Sequence, residues 1–201
     1  MKTDSGFPEA LTRREAIRRV STLFGGAALV GQSAMLASCA APQGAENVLF
    51  SGSEIALLDE IAETILPETD TPGAKAAGVG AFMALMVADT YYERDQAIFR
   101  EGLAAIDSAS RESSGAGFAA ATAADRQALL EALDAEQHEY MRDKSPEEPA
   151  HFFRMMKELA LLGYFTSEIG YMQAMRYVET PGRYDPCASL APGEKIWADH
   201  A

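Results

Sequence analysis

The chain has 201 residues, 48% of them hydrophobic, and its 30 acidic against 17 basic side chains give a formal net charge of −13 at pH 7. A chain this acidic is a poor partner for nucleic acid, whose phosphates need Lys and Arg, and its own surface is unsuited to anionic lipid headgroups. The apolar content suffices for a single core in one domain.

Residues 1–39 read as targeting rather than fold. Arg13 and Arg14 precede a moderately apolar stretch, Val20 to Ser38, diluted by Gly25, Gly26, Gly31 and Gln32. Paired arginines in that place fit a twin-arginine signal, which exports proteins already folded. An uncleaved anchor helix is the alternative reading, but a stable span needs a longer and greasier run of about 20 residues. Leu36-Ala37-Ser38-Cys39 resembles a lipobox, in which the cysteine sulfur takes a diacylglycerol before cleavage. Ordinary cleavage after Ala40 competes with it, since Ser38 and Ala40 are both small. Ala40, not Asp, follows the cysteine, so no signal holds the chain at the inner membrane. The first 39 residues carry five basic and three acidic side chains, a net +2, so the remainder carries −15. Residues 40–52, with Pro42, Gly44 and Gly52 and few large apolar side chains, read as a tether between lipid and folded body.

Helical spacing then takes over. Ser53 is the expected N-cap of a first helix carrying Ile55, Leu58, Ile61 and Ile65, with Asp59, Glu60 and Glu63 on its other faces and Pro67 as its stop. The stretch 67–78, PETDTPGAKAAG, reads as a loop. Val79, Phe82, Met83, Met86 and Val87 mark a second helix, and Ile98 or Phe99, Leu103 and Ile106 a third. Residues 110–121 read as a flexible connection. Thr122 with Asp125 resembles a capping box opening a fourth helix through Leu129, Leu130, Leu133 and Tyr140. After a break at 145–149, Phe152, Phe153, Met156, Leu159 and Leu162 mark a fifth, and a last helix is expected from near Ser167 to Tyr177. No stretch alternates with period two. The expected fold is all-α, an irregular helical bundle over 53–179 with an extended C-terminal tail over 180–201.

The tail contains three prolines and two glycines, which exclude a long helix, yet Tyr184, Leu190, Ile196 and Trp197 are apolar enough to seek burial. It either wraps its own bundle or lies along a partner, because aromatics are favoured in cores and in interfaces alike. Cys187 is one of two cysteines. If Cys39 is lipidated or lost with the signal, an odd cysteine remains outside the cytoplasm, which suggests either a half-buried thiol or a bridge to another chain.

Motifs for chemistry are missing. His138, His151 and His200 are far apart, and EQHEY (136–140) lacks the second histidine that a zinc helix needs. No haem-attachment motif, phosphate-binding glycine loop or nucleophile elbow is present. Met155, Met156, Met172 and Met175 read as core filler rather than ligands. Glu158 and Glu168 could do acid–base chemistry, with Tyr164 beside them, but most carboxylates in so acidic a chain form a solvated face.

Three stretches carry a resemblance: LLDEIAETILPETDTPGAKAAGVGAFM (57–83), LGYFTSEIGYMQAMRY (162–177) and TPGRYDPC (180–187). Together they resemble the gluconate 2-dehydrogenase subunit 3 family, small subunits of membrane-associated FAD-dependent dehydrogenases of sugars and sugar acids. The resemblance implies a non-catalytic partner of a large flavoprotein of the glucose–methanol–choline type, which holds the FAD and the substrate, so no cofactor is expected in this chain. A multihaem cytochrome c subunit often completes such complexes. Tyr164, Phe165, Glu168 and Gly170, with Pro181, Gly182, Tyr184 and Cys187, occupy the recurring motifs. Tyr164, Phe165, Glu168, Tyr184, Cys187 and Trp197 are therefore the candidate partner interface. The resemblance also gives the twin-arginine signal a purpose. A flavoprotein folds around FAD in the cytoplasm and must cross the membrane folded, and a bound small subunit can supply the signal. The clear lipobox departs from many relatives and suggests that this subunit tethers the complex in the periplasm. A lipid-anchored structural module without a dehydrogenase, or a stand-alone enzyme, are the other readings.

Overall fold

The computed structural model describes residues 49–180, 182 and 187–198. Arg13, Arg14, Cys39, Tyr184 and His200 lie outside the described residues. Within them the fold is all-α with one minimal pair of strands: α1 (Gly52–Ile65), α2 (Val79–Thr90), α3 (Glu93–Ser114), α4 (Ala123–Asp143) and α5 (Phe152–Phe165), then β1 (Arg176–Tyr177) and β2 (Trp197–Ala198).

The N-cap of helix α1 lies two residues ahead of the expected Ser53. Ser51 is the N-cap, its hydroxyl accepting from Glu54 N at 3.3 Å while the Glu54 carboxylate accepts from Ser51 N at 2.7 Å. This reciprocal box satisfies two of the donors a helix start leaves without partners. Phe50, just ahead of it, is 3% exposed and packs edge-on against Phe99 with ring centres 6.0 Å apart. The folded body therefore begins inside the stretch expected to be tether.

Burial of one apolar stripe per helix assembles the bundle. Leu58 and Ile61 of α1 meet Met83 and Val87 of α2, Phe99, Leu103 and Ile106 of α3, and Phe153, Met156 and Leu159 of α5 in a common core. Helix α5 packs on all four other helices. Helix α4 lies outermost, burying Leu130 and Gln137. Ion pairs from Arg126 to Glu60 (2.7 Å) and from Lys157 to Asp134 (2.7 Å) tie it to α1 and α5. Its cap is Thr122, which accepts from Asp125 N.

The connection expected to be flexible is ordered. Helix α3 runs on to Ser114, Ser110 Oγ donates to Ala116 O at 2.9 Å, and Phe118 on the following 3₁₀ turn (Phe118–Ala120) is fully buried. Serines in that stretch bond back to nearby carbonyls instead of extending into solvent. The expected last helix is also corrected. After α5 the chain makes one π-turn, Gly170–Ala174, closed by Met175 N on Gly170 O at 2.9 Å, and passes into β1. Strands β1 and β2 are parallel, pairing Arg176 with Trp197 and Tyr177 with Ala198. The C-terminal part of the tail thus returns to its own chain.

Candidate partner-docking surface

The loop between α1 and α2 is held from behind by α1. The Glu63 carboxylate accepts from Glu68 N (2.9 Å) and Lys75 N (2.8 Å). Glu60 accepts from Lys75 Nζ and, at 2.7 Å, from Arg126. The bond from Lys75 holds the Glu60 carboxyl below its ordinary range, against the opposing effect of burial, and Arg126 adds to it. Asp59 Oδ1 accepts from Gly80 N at 3.0 Å, but burial outweighs that bond and pushes the carboxyl up.

From the other side the same loop is held by α5. Tyr164 donates its hydroxyl to Pro72 O at 2.8 Å and lies 3.4 Å from Thr71 Oγ1. Its side chain is 4% exposed, so this candidate interface residue faces inward and fastens the loop. Ser167 Oγ donates to Tyr164 O at 2.7 Å and accepts from Gly170 N at 3.1 Å. At Gly170 a Cβ would lie 2.1 Å from Tyr164 O, which leaves room for hydrogen only. The first two quoted stretches therefore meet at one end of the bundle, with residues 67–70 exposed beyond the contact.

At this end several large apolar side chains face solvent: Leu161, Leu162 and Phe165 of α5, Met172 of the π-turn, and Ile196 and Trp197 of the tail, each between 36 and 60% exposed. Residues three and four apart on a helix are neighbours, which places Leu161 and Leu162 beside Phe165. Phe165 also packs edge-on against Tyr164, ring centres 5.2 Å apart. The π-turn packs on α5 and on β1, and β1 carries β2. Arg176 lies over the Trp197 ring, 4.1 Å from its centre, and pairs with Glu194 at 2.6 Å. Lys195 Nζ donates to Gln173 O. Glu68, Asp70, Glu168 and Glu179 are exposed, and none forms an ion pair among the described residues.

Of the candidate interface residues, Phe165, Glu168 and Trp197 are thus exposed at this end. Cys187 is exposed in the tail, and Tyr184 lies outside the described residues. Sequence reasoning missed Leu161, Leu162 (read as core) and Met172 (read as core filler), and named Ile196 only as an apolar tail residue seeking burial, whereas Met155 and Met156 are indeed buried. The acid–base alternative does not assemble. Glu158 pairs with Arg154 at 2.5 Å, Tyr164 is buried, and Glu168 lies beyond the end of α5, which Glu158 is inside. His151 serves as the N-cap of α5, its Nδ1 accepting from Phe153 N at 3.2 Å. Among the described residues no His, Cys, Asp and Glu side chains cluster as metal ligands, and no helix is long and apolar enough to cross a membrane.

The family described as gluconate 2-dehydrogenase subunit 3 matches residues 52–182, from the first residue of α1 into the tail. The chain belongs to that family. No curated protein and no solved structure matches it. The family's name implies a subunit of a dehydrogenase complex. All five described helices of this subunit 3 chain and the π-turn fall within the matched residues, while Ile196 and Trp197 of the end surface lie beyond them.

Proposed function

We propose that this subunit 3 chain is the non-catalytic accessory subunit of an FAD-dependent dehydrogenase of the glucose–methanol–choline type. It binds and stabilises the large flavoprotein, escorts it through twin-arginine export and tethers it in the periplasm through lipid on Cys39. The observation that carries this reading is the family match across the whole helical body. Arg13 and Arg14 ahead of an apolar stretch supply the export half, and Leu36 to Cys39 the anchor. FAD and the sugar or sugar-acid substrate are assigned to the partner, and a multihaem cytochrome c to the electron-accepting side.

The test is cell fractionation on cells producing both chains. The Arg13→Lys, Arg14→Lys double variant should leave both in the cytoplasm. Periplasmic, FAD-loaded large subunit in those cells would sink the escort role. Cys39→Ser should release the complex from membranes, since acyl chains hold by about 0.8 kcal/mol per buried CH₂. An unmodified mature N-terminus at Ala41 would contradict the anchor.

A further inference from the structure

We infer that the catalytic flavoprotein docks on the end surface built by Leu161, Leu162, Phe165, Met172, Ile196 and Trp197, and that its matching patch is apolar at the centre and lined at the edge by Lys and Arg. This rests on the accessory-subunit reading above.

Single exposed apolar side chains are ordinary, but several of them from α5, the π-turn and the tail at one end of a molecule mark an interaction surface. Tyr92, 83% exposed at the corner between α2 and α3, is the ordinary kind. The end surface differs from it in being built on fixed backbone. Tyr164 fastens the neighbouring loop at Pro72, Gly170 lies against the carbonyl of Tyr164, and Arg176 holds Trp197. A surface already held in shape loses little freedom on binding, which favours affinity. Aromatic and Met side chains at its centre match the composition of interface cores.

Charge then selects the occupant. Arg176 is committed to Glu194 and Trp197, and Lys195 to the Gln173 carbonyl. Glu68 and Asp70 on the fastened loop, Glu168 after α5 and Glu179 after β1 are exposed without an ion pair among the described residues. Among the described residues the rim therefore carries negative charge without an ion-pair partner. A second copy of this chain would bring the same acids against it, and like charges facing each other cost several kcal/mol. A partner with Arg and Lys around an apolar centre fits.

The experiment uses the full chain and an FAD-dependent dehydrogenase large subunit produced in the same cells, with binding followed by biolayer interferometry. Phe165→Ala and Trp197→Ala should each weaken binding about 30-fold, the fall typical of central aromatic anchors. The Glu68→Lys, Asp70→Lys, Glu168→Lys triple variant should slow association about tenfold at low salt and approach wild type at high salt, since rim charges act on the encounter and are screened. All of these side chains are exposed, and circular dichroism confirms that each variant is folded. Tyr92→Asp is the control and should bind as wild type does. If wild type binds and the aromatic and charge variants bind equally well, the surface is wrong while the accessory role stands. If wild type itself does not bind the flavoprotein, both fall.

Discussion

Asp59 caps a helix to which it does not belong. Helix α2 opens at Gly78, whose φ of 68° is in the left-handed region and which has no side chain to offer. The first-turn N–H of Gly80 finds its acceptor on α1 instead, at Asp59 Oδ1. The approach is close enough that a Cβ on Gly80 would stand 2.6 Å from Asp59 N. Burial raises the Asp59 carboxyl, so its contribution to stability is fully present below the unfolded value and lost as pH rises through the folded one. Asp59→Asn keeps the acceptor and removes the buried charge. We expect it to be as stable as wild type or more so at pH 7, whereas Asp59→Ala, which leaves the N–H without its acceptor, loses about 1 kcal/mol. The neighbouring Glu60 has the opposite sign. Lys75 and Arg126 hold its carboxyl low, so that contribution is present above the unfolded value of 4.5 and disappears as pH falls through the folded one. Glu60→Gln should therefore be less stable than wild type at pH 7, with the gap closing as pH drops below 4.5. Urea melts from pH 3 to 8 measure both, and parallel pH curves for Asp59→Asn, Glu60→Gln and wild type would contradict the assignment.

Between elements, the attachment of the α1–α2 loop to α5 depends on one phenol and one missing side chain. Tyr164→Phe keeps the buried ring and removes the bond to Pro72 O, at an expected loss of about 1 kcal/mol. Gly170→Ala forces a methyl against a backbone carbonyl that cannot swing away, and should lose about 1–3 kcal/mol. Amide hydrogen exchange should accelerate in residues 67–78 in Tyr164→Phe while the core of α3 is unchanged, and uniform acceleration would mean that the tyrosine supports the whole bundle. One helix and three helix ends follow from signals that act locally: the spacing of Leu58 and Ile61, then Pro67 as a stop, Thr122 as a cap and the break after Asp143. The true cap of α1 was also legible, because Glu54 follows Ser51 by three residues and nothing similar follows Ser53. Other features depend on contacts between distant residues. Phe118 reads as part of a Ser/Gly-rich linker until the core that receives it is known. The π-turn depends on Gly170 meeting Tyr164 O, and β1 on a tail some twenty residues further on. The end surface is the least legible part. Helix α5, FFRMMKELALLGYF, is apolar on most sides, so its spacing announces burial without saying which leucines stay outside.

At the scale of the whole molecule, the described part of the tail is attached to the bundle without joining its core cluster. The buried cluster runs from Phe50 to Tyr164, and of the described tail residues only Ala198 is buried. Among the described residues the tail is held by the pairing of two residues with two, the Arg176–Glu194 ion pair, the Lys195 bond to Gln173 O and Trp197 on Arg176. A strand pair this short has no stability of its own, and exposed ion pairs contribute about 1 kcal/mol or less. The tail should therefore release before the helices melt. Trp197 is the only tryptophan, so its emission reports on the tail while far-ultraviolet circular dichroism reports on the bundle. In a urea titration the fluorescence change should come first, and two separated transitions are the expected result for units that do not unfold together. A chain ending at Glu179 should keep its helical signal and melt within a few degrees of the full chain, since a loss of 1 kcal/mol moves the midpoint of a domain of this size by about 2–4 °C. Its binding to the flavoprotein should nevertheless fall, because Ile196 and Trp197 are gone from the end surface. Coincident transitions, or a truncated chain that loses its helices, would make the tail a structural member of the bundle and remove the reason for two exposed anchors at its end.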